Sequence, residues 1–429
     1  MKKNDARTLA LDLLLRSEAA GQYANIALDT ALSRGRLEDA DRAFATALFY
    51  GVLERRLTLD HIIAQNSALP AGKIEPRVRE ILRLALFQLL YLDRVPGHAA
   101  IFEAVEEAPP RSKGFVNALL RSFCRKGKNV EYPAKETDIA AFLSVRYSVD
   151  RALAAALLSA YGAEKTKAIL TAFEDRPPVT VRVNTACLTR AEFLSRYGGT
   201  PTKNAPFGVR LAEKTPLFSL LDAGVCFVED EASQIAVEVL DARAGTRVRD
   251  LCAAPGSKTF GIALSGATVV ASDLHENKLS LIRRGAETLG LSGITVTAAD
   301  AREARGETFD RVLADVPCSG YGVIGKKPDI RYKSPAGREG LLRTQAEILS
   351  AAADITKPGG VLVYSTCTLL PDENEGQIAA FLTRRPDFAL APFRVGDIAA
   401  NGTYTFFPDT DKTDGFFVAK LMKKGTQNG

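Results

Sequence analysis

Thr246–Thr259 reads TRVRDLCAAPGSKT, and this stretch decides the fold. Alternation over Thr246–Leu251 predicts a short strand. Two small residues, a proline and a glycine then force a tight turn, and Ser257 starts a helix. Strand, tight turn and helix start together present backbone N–H groups to a bound ligand. An ordinary βα connection has the same local pattern, so the strands downstream of this turn give the stretch its meaning.

Outward from this turn, alternating stretches predict strands at 246–251, 267–273, 294–300, 309–315 and 360–366, with helices between them. The clearest helix is Arg338–Ile355, where Leu342, Ala346, Leu349 and Ala353 share one face. Two late strands, Thr403–Phe407 and Gly415–Leu421, close the pattern. Such alternation predicts a Rossmann-like α/β domain with a mainly parallel sheet and ligands at the carboxyl ends of its strands. The second strand ends at Asp273, 23 residues past Asp250, where dinucleotide folds place the acid that holds a ribose diol. The third ends at Asp300 and the fourth at Asp315, so three carboxylates share one rim. The turn is CAAPGSK and not GxGxxG, so close approach of a pyrophosphate is not provided for. S-adenosylmethionine, an adenosine with an amino-acid tail and no phosphates, fits better.

Upstream, residues 5–130 carry apolar residues at helical spacing: Leu9, Leu13 and Leu14, then Ala45, Leu48, Phe49 and Val52, then Ile81, Leu84, Phe87 and Tyr91. Leu82, Leu86, Leu89 and Leu90 make that last helix apolar nearly all round, as expected at the centre of a bundle. Lys126–Asp138 is polar and aperiodic, the best linker candidate. Ile139–Glu174 is helical again, and short strands at Pro178–Asn184, Gly208–Leu211 and Val225–Glu229 outline a small α/β piece that should pack on the main domain.

With 429 residues, two or three domains are expected. No run of about 18 apolar residues predicts a membrane span, and MKKNDARTLALDLLLR reads as an amphipathic helix rather than a signal peptide. The six cysteines show neither CxxC spacing nor neighbouring histidines. The expectation is a cytoplasmic protein with reduced thiols, no disulfide framework and no metal. Residues 1–130 hold 20 Lys+Arg against 15 Asp+Glu, so the whole net charge of +5 lies there. Pro109–Val130 has no acid, and its Arg111, Lys113, Arg121, Arg125 and Lys126 are candidate contacts to an RNA backbone. A merely solvated helix end would look similar.

The stretches ARTLALDLLLR, DRAFATALFYGVLERRLTLDHIIA, ILRLALFQLLYLDRVPGHAAIFEAVEEA and KGFVNALLRSFCRK resemble a NusB-type RNA-binding domain. DLCAAPGSKT, DVPCSG and YSTCTL, in that order, resemble motifs I, IV and VI of the Sun-type RNA cytosine-5 methyltransferases that act on small-subunit ribosomal RNA. PVTVRVN, EDEASQ, KPDIRY and DGFFVAKL also match. Two departures stand out. Ser257 replaces the second glycine of the usual APGGK. Gly325, Lys326 and Lys327 replace the two basic residues and histidine usual before Pro328.

The resemblance implies three domains: a NusB-like helical domain at 1–130, a small α/β subdomain at 139–228 and an S-adenosylmethionine-dependent methyltransferase domain at 229–425. It implies Cys367 as the nucleophile that adds to cytosine C6. Cys318 would help to expel it, Asp315 would contact N3 and the exocyclic amine, and Lys258 would face the substrate. The cofactor would lie on Cys252, Ala253, Ala254, Pro255, Gly256, Ser257 and Lys258, with Asp273, Asp300 and Asp315. The chemistry suits these residue types, because cytosine C5 is a poor nucleophile until a thiolate adds at C6. DNA-type enzymes use the motif IV cysteine alone; both Cys318 and Cys367 are present here. Methylation of another RNA such as tRNA, or an RNA-binding module with a vestigial enzyme domain, are the other readings.

Overall fold

The computed structural model describes residues 6–20, 28, 31–32, 37–175 and 178–425. The basic start at residues 1–5 lies outside them. Contacts divide the chain into two compact units: Met1–Leu170 with Lys327–Pro335, and Thr171–Lys326 with Ala336–Gly429.

The first unit is helical. Helices Ala6–Ala20, Asp39–Asn66, Pro76–Tyr91, Gly97–Glu107 and Lys113–Arg125 bury one continuous core that includes Leu11, Leu48, Phe49, Ile62, Leu82, Leu86, Leu120 and Phe123. Pro76–Tyr91 is its central helix, as its all-round apolar pattern predicts, and even its polar Glu80, Arg83 and Gln88 are buried. Arg83 is sustained there by bonds to both oxygens of Asp60, each at 2.7 Å, and by an ion pair with Glu80.

The polar stretch at Lys126–Asp138 contains no helix, yet it does not mark the division of contacts. Its Glu131 carbonyl accepts from Gln65 at 2.6 Å and lies 2.8 Å from His61 Nε2. Thr58 Oγ1 donates to the Val145 carbonyl at 2.6 Å, and Leu57 N–H to Ser148 Oγ at 2.9 Å. The helix Ile139–Tyr147 and most of Arg151–Ala172 therefore pack with the front bundle. Loss of periodicity breaks a helix but not the packing that resumes after it. Lys327–Pro335 joins the same unit. Tyr332 donates its hydroxyl hydrogen to the Leu53 carbonyl and accepts from the Arg56 N–H, whose guanidinium lies 4.0 Å over its ring.

The second unit holds two main sheets. The small one is antiparallel, with strands β1 (Thr180–Val183), β2 (Thr200–Pro201), β3 (Gly208–Arg210) and β4 (Cys226–Val228) in the order β2-β3-β1-β4. It packs on the larger sheet's helices, as expected. Arg182 bonds Glu238 at 2.8 Å, Gln234 donates to the Val181 carbonyl at 3.2 Å, and Asn184 donates to the Leu289 carbonyl at 2.9 Å.

The large sheet contains β5 (Arg247–Asp250), β6 (Thr268–Asp273), β7 (Ile294–Ala298), β8 (Phe309–Asp315), β9 (Thr356–Thr366) and β10 (Phe388–Leu390). After the β11–β12 hairpin (Phe393–Val395, Ile398–Ala400) come β13 (Thr403–Phe406) and β14 (Phe416–Lys423). The order is β10-β14-β9-β8-β5-β6-β7, with β13 on β14. β5 to β9 are parallel, and β14 pairs antiparallel with β9. The chain leaves β5 toward β6 and β7, then returns to β8 on the other side. The carboxyl ends of β5 and β8 are thus the switch point at which such sheets open a ligand crevice.

Candidate active site

The turn after β5 is built by neighbouring strand ends. Leu251 N–H donates to the Leu313 carbonyl at 3.1 Å, and Ala253 N–H to the Ser272 carbonyl at 2.8 Å. Ala254 N–H donates to Asp273 Oδ2 at 3.3 Å. Gly256 sits at φ +120°, which side-chain-bearing residues rarely adopt, and a Cβ there would lie 2.4 Å from the Phe260 ring. Ser257 is the first residue of the helix Ser257–Ala263, a position that needs no second glycine. Thr259 Oγ1 donates to Asp250 Oδ2 at 2.6 Å, tying that helix back to its strand. Asp250 is buried, its Oδ1 has no partner among the described residues, and burial raises its carboxyl to about 6.

A cavity of about 450 Å³ opens over these strand ends. Cys252, Ala254, Asp273, Asp300, Asp315, Cys318 and Cys367 all line it, so seven of the expected residues converge on one space. Ala253, Pro255, Gly256, Ser257 and Lys258 are not in its lining; they form the turn behind it. Asp273 is 9% exposed and also accepts the His275 N–H at 3.1 Å. Asp300 caps the short turn after β7 and is chelated by Arg302, whose Nε lies 3.0 and 3.1 Å from its two oxygens, so its carboxyl lies below the usual range. Sequence reasoning missed the apolar side of the cavity. Leu274 is 59% exposed beside Asp273, and Ile348 and Ala301 contribute further surface. An apolar residue directly after a strand-ending acid was the signal available.

Two carboxylates and an exposed leucine suit an adenosine, since the ribose hydroxyls need acceptors and the purine needs apolar faces. The backbone turn and the absence of a phosphate loop suit an amino-acid tail. The residues present therefore fit S-adenosylmethionine.

The two thiols line the same cavity. Cys318 Sγ and Cys367 Sγ are 3.1 Å apart, and Cys367 N–H donates to Cys318 Sγ at 3.2 Å. The hydrogen bond with Cys367, then burial, then the charges of Cys367, Glu373 and Asp315 push the Cys318 thiol well above its ordinary value. Asp315 Oδ2 accepts from Lys258 at 2.7 Å, and Asp315 Oδ1 accepts from Ser365 at 2.7 Å. Burial pulls Lys258 down, but Asp315 and the enclosed Glu229 outweigh it and hold the ammonium above its usual range. Close backbone contact places the second thiol: Gly322 N–H donates to the Cys367 carbonyl at 3.0 Å, and a Cβ on Gly322 would lie 1.8 Å from the Gly415 oxygen.

Lys326, in the departing GKK, bridges Asp230 at 2.9 Å and Asp414 at 2.7 Å. It is a structural clasp, already committed within the protein.

In the helical unit, the basic candidates divide. Arg111 pairs with Glu75 at 2.9 Å and Lys113 with Glu106 at 2.8 Å. Arg121 bonds only Asn117, at 2.9 Å, and Arg125 and Lys126 are exposed with no acidic partner among the described residues. Arg121 and Arg125 line a groove that also contains His98, Ile101 and Phe102, the last 63% exposed.

Comparison with known proteins finds three family matches along the chain. Residues 4–125 match the NusB family, 151–217 the ferredoxin-like domain of RsmF/B-like methyltransferases, and 237–422 the 16S rRNA methyltransferase RsmB/F model. The chain is 36% identical over 454 residues to the "Probable ribosomal RNA small subunit methyltransferase B" of Bacillus subtilis, covering 99% of this chain and 100% of the relative. It is 36% identical over 445 residues to "Ribosomal RNA small subunit methyltransferase B" of Klebsiella pneumoniae, with 99% and 100% covered. Among solved structures, PH0851 aligns with a TM-score of 0.78 at 25% identity, covering 97% of this chain and 98% of that one.

Proposed function

The chain belongs to the RsmB/F family of 16S rRNA methyltransferases, and from that premise we propose that it transfers a methyl group from S-adenosylmethionine to C5 of a cytosine in small-subunit ribosomal RNA. The observation that carries this reading is the pair of thiols 3.1 Å apart beside Asp315 in the cavity that fits the cofactor. When bound, S-adenosylmethionine supplies an electrophilic methyl on a sulfonium.

The residues of the chain do the rest. The Cys367 thiolate adds to cytosine C6, and the electron pair moved to C5 makes that carbon the nucleophile. Asp315 contacts the N3 and amine edge of the base, with Lys258 and Ser365 holding the carboxylate in place. After methylation the C5 proton passes to solvent water, the C5–H electron pair re-forms the C5–C6 double bond, the C6–sulfur bond breaks and Cys367 departs as thiolate; Cys318 assists this step. Asp273 binds the ribose hydroxyls, Asp300 the adenine amine, and the Cys252–Lys258 turn the methionine moiety. RNA binding is assigned to the helical unit, into which residues 139–170 of the expected 139–228 subdomain are packed, and chemistry to the methyltransferase part at 229–425, which the remainder of that subdomain accompanies. Arg121, Arg125 and Lys126 are the first RNA contacts. Arg111 and Lys113 can exchange their surface carboxylates for phosphate, because such pairs are worth only about 0–1 kcal/mol.

Bisulfite sequencing of total RNA from cells with and without the gene tests the reaction. One 16S cytosine-5 mark should disappear without the gene, and an unchanged set of 16S marks refutes the reading. Denaturing gels test the roles of the thiols. Cys367→Ala should yield neither adduct nor product, whereas Cys318→Ala should accumulate a protein–RNA adduct. The reverse pattern would assign attack to Cys318.

A further inference from the structure

Glu373 lies six residues beyond Cys367 in PDENEG, and its side chain is wholly buried. Its Oε2 accepts from the Ser319 N–H at 2.9 Å and from Gln345 Nε2 at 2.9 Å. The same Gln345 nitrogen donates to the Pro317 carbonyl at 3.0 Å. Both residues flanking Cys318 are therefore gripped, one directly by Glu373 and one through Gln345. The grip reaches the other thiol as well. Ser319 Oγ and Thr368 Oγ1 share a hydrogen bond of 2.8 Å, Asn374 Nδ2 donates to the Thr368 carbonyl at 3.0 Å, and Tyr364 donates to the Glu373 carbonyl at 2.7 Å.

A buried carboxylate is costly, so a fold that keeps one needs a compensating set of bonds. Here the bonds of Oε2 go to the Cys318 turn and to the helix Glu339–Asp354, which carries Gln345, while Oε1 has no partner among the described residues. None of the hydrogen bonds found for the Glu373 carboxylate reaches the cofactor cavity, and Glu373 is not in the lining of that cavity.

We infer that Glu373 is the positioning residue for the release step: its carboxylate holds the Pro317–Ser319 turn so that Cys318 stays against Cys367. It touches neither base nor cofactor and acts through Cys318. The inference rests on the roles proposed above for the two cysteines.

The test compares full-length Glu373→Ala, Glu373→Gln, Cys318→Ala and the parent, with transcribed small-subunit ribosomal RNA and S-adenosylmethionine. Glu373→Ala should bind S-adenosylmethionine within about twofold of the parent and still form the covalent adduct. It should accumulate that adduct on denaturing gels as Cys318→Ala does, with turnover at least roughly tenfold lower. Glu373→Gln keeps an oxygen that accepts from Ser319 and Gln345, so it should restore release. Gln345→Ala removes the bond to Pro317 and should trap adduct in a fold that keeps the carboxylate. If Cys318→Ala traps adduct and neither Glu373→Ala nor Gln345→Ala does, the inference falls. A Glu373→Gln variant that traps as much as Glu373→Ala also overturns it, since charge and not position would then matter. If Cys318→Ala itself traps nothing, the underlying assignment of the cysteines is what has failed.

Discussion

Replacing Asp273 by alanine should weaken cofactor binding by roughly 10- to 150-fold. A carboxylate offers about four acceptor sites, and the protein uses two: Ala254 N–H at 3.3 Å and His275 N–H at 3.1 Å. The remaining sites suit the two hydroxyls of a ribose. At 9% exposure, water replaces little of what the substitution removes. A hydrogen bond to a charged group is worth ~1.5–3 kcal/mol, and about 1.4 kcal/mol is tenfold in affinity, which gives the range stated. Loss of the Ala254 and His275 tethers pushes toward its upper end. Asp273→Asn keeps one acceptor oxygen and should fall between alanine and the parent. Calorimetry with S-adenosylmethionine and with S-adenosylhomocysteine provides the check. The two share the ribose, so the fold-loss should be equal for both. Unchanged affinity would remove Asp273 from the site, and a loss confined to the sulfonium form would move its contact to the methionine end.

In the helical unit, the double variant Arg121→Ala, Arg125→Ala should flatten the log–log salt dependence of RNA binding by about 0.7–0.9 per lost phosphate contact. A fluorescence-anisotropy salt series with an unaltered slope would make that face merely solvated. Asp250 predicts a pH effect on stability. Its carboxyl is raised from 3.8 to about 6 in the folded protein, so its contribution is complete below the unfolded value and is lost as pH rises through 6. Asp250→Asn keeps an acceptor for Thr259 and carries no charge. It should flatten that decline and be the more stable protein at pH 7, by on the order of 3 kcal/mol at most. Urea midpoints at pH 4 and pH 7 that differ equally in both proteins would contradict this.

The strand ends and the residues on them are legible in the sequence because alternation and a terminal acid are local signals. Thr268–Asp273 and Phe309–Asp315 lie almost where the pattern puts them. The helix Glu339–Asp354 is also where it is expected, but its buried face runs through Gln345, Ile348, Leu349 and Ala352 and not through Leu342. A buried glutamine has no signature in a hydrophobic period. Its partners, Pro317 and Glu373, lie 28 residues away on either side and become neighbours only once the sheet has formed. Lys326 has the same history: in sequence it looks like a departure from a basic motif, and in the fold it is spent on Asp230 and Asp414.

The thiol pair shows where local pattern hands over to packing. Cys318 and Cys367 are 49 residues apart in the chain, and no spacing rule joins them. The parallel register of β8 on β9 does, by setting Asp315 opposite Ser365. Cys318 then comes three residues beyond one strand end and Cys367 two residues past Ser365 on the other strand. A slip of one residue would turn the buried side chains of β9 to the wrong faces, and Val361–Thr366 is buried throughout. The register is therefore fixed by the core, well below the site. The irregularity between Phe309 and Arg311 sets the four residues Lys357–Gly360 against the single Asp310 at the far end of the pair, leaving the upper rows in strict step. The contact that enables the proposed chemistry is thus held from two directions: from below by the hydrophobic register of the sheet, and from the side by Glu373 and Gln345. Weakening the side grip alone should loosen Cys318 while leaving Cys367, directly after the buried strand β9, able to attack.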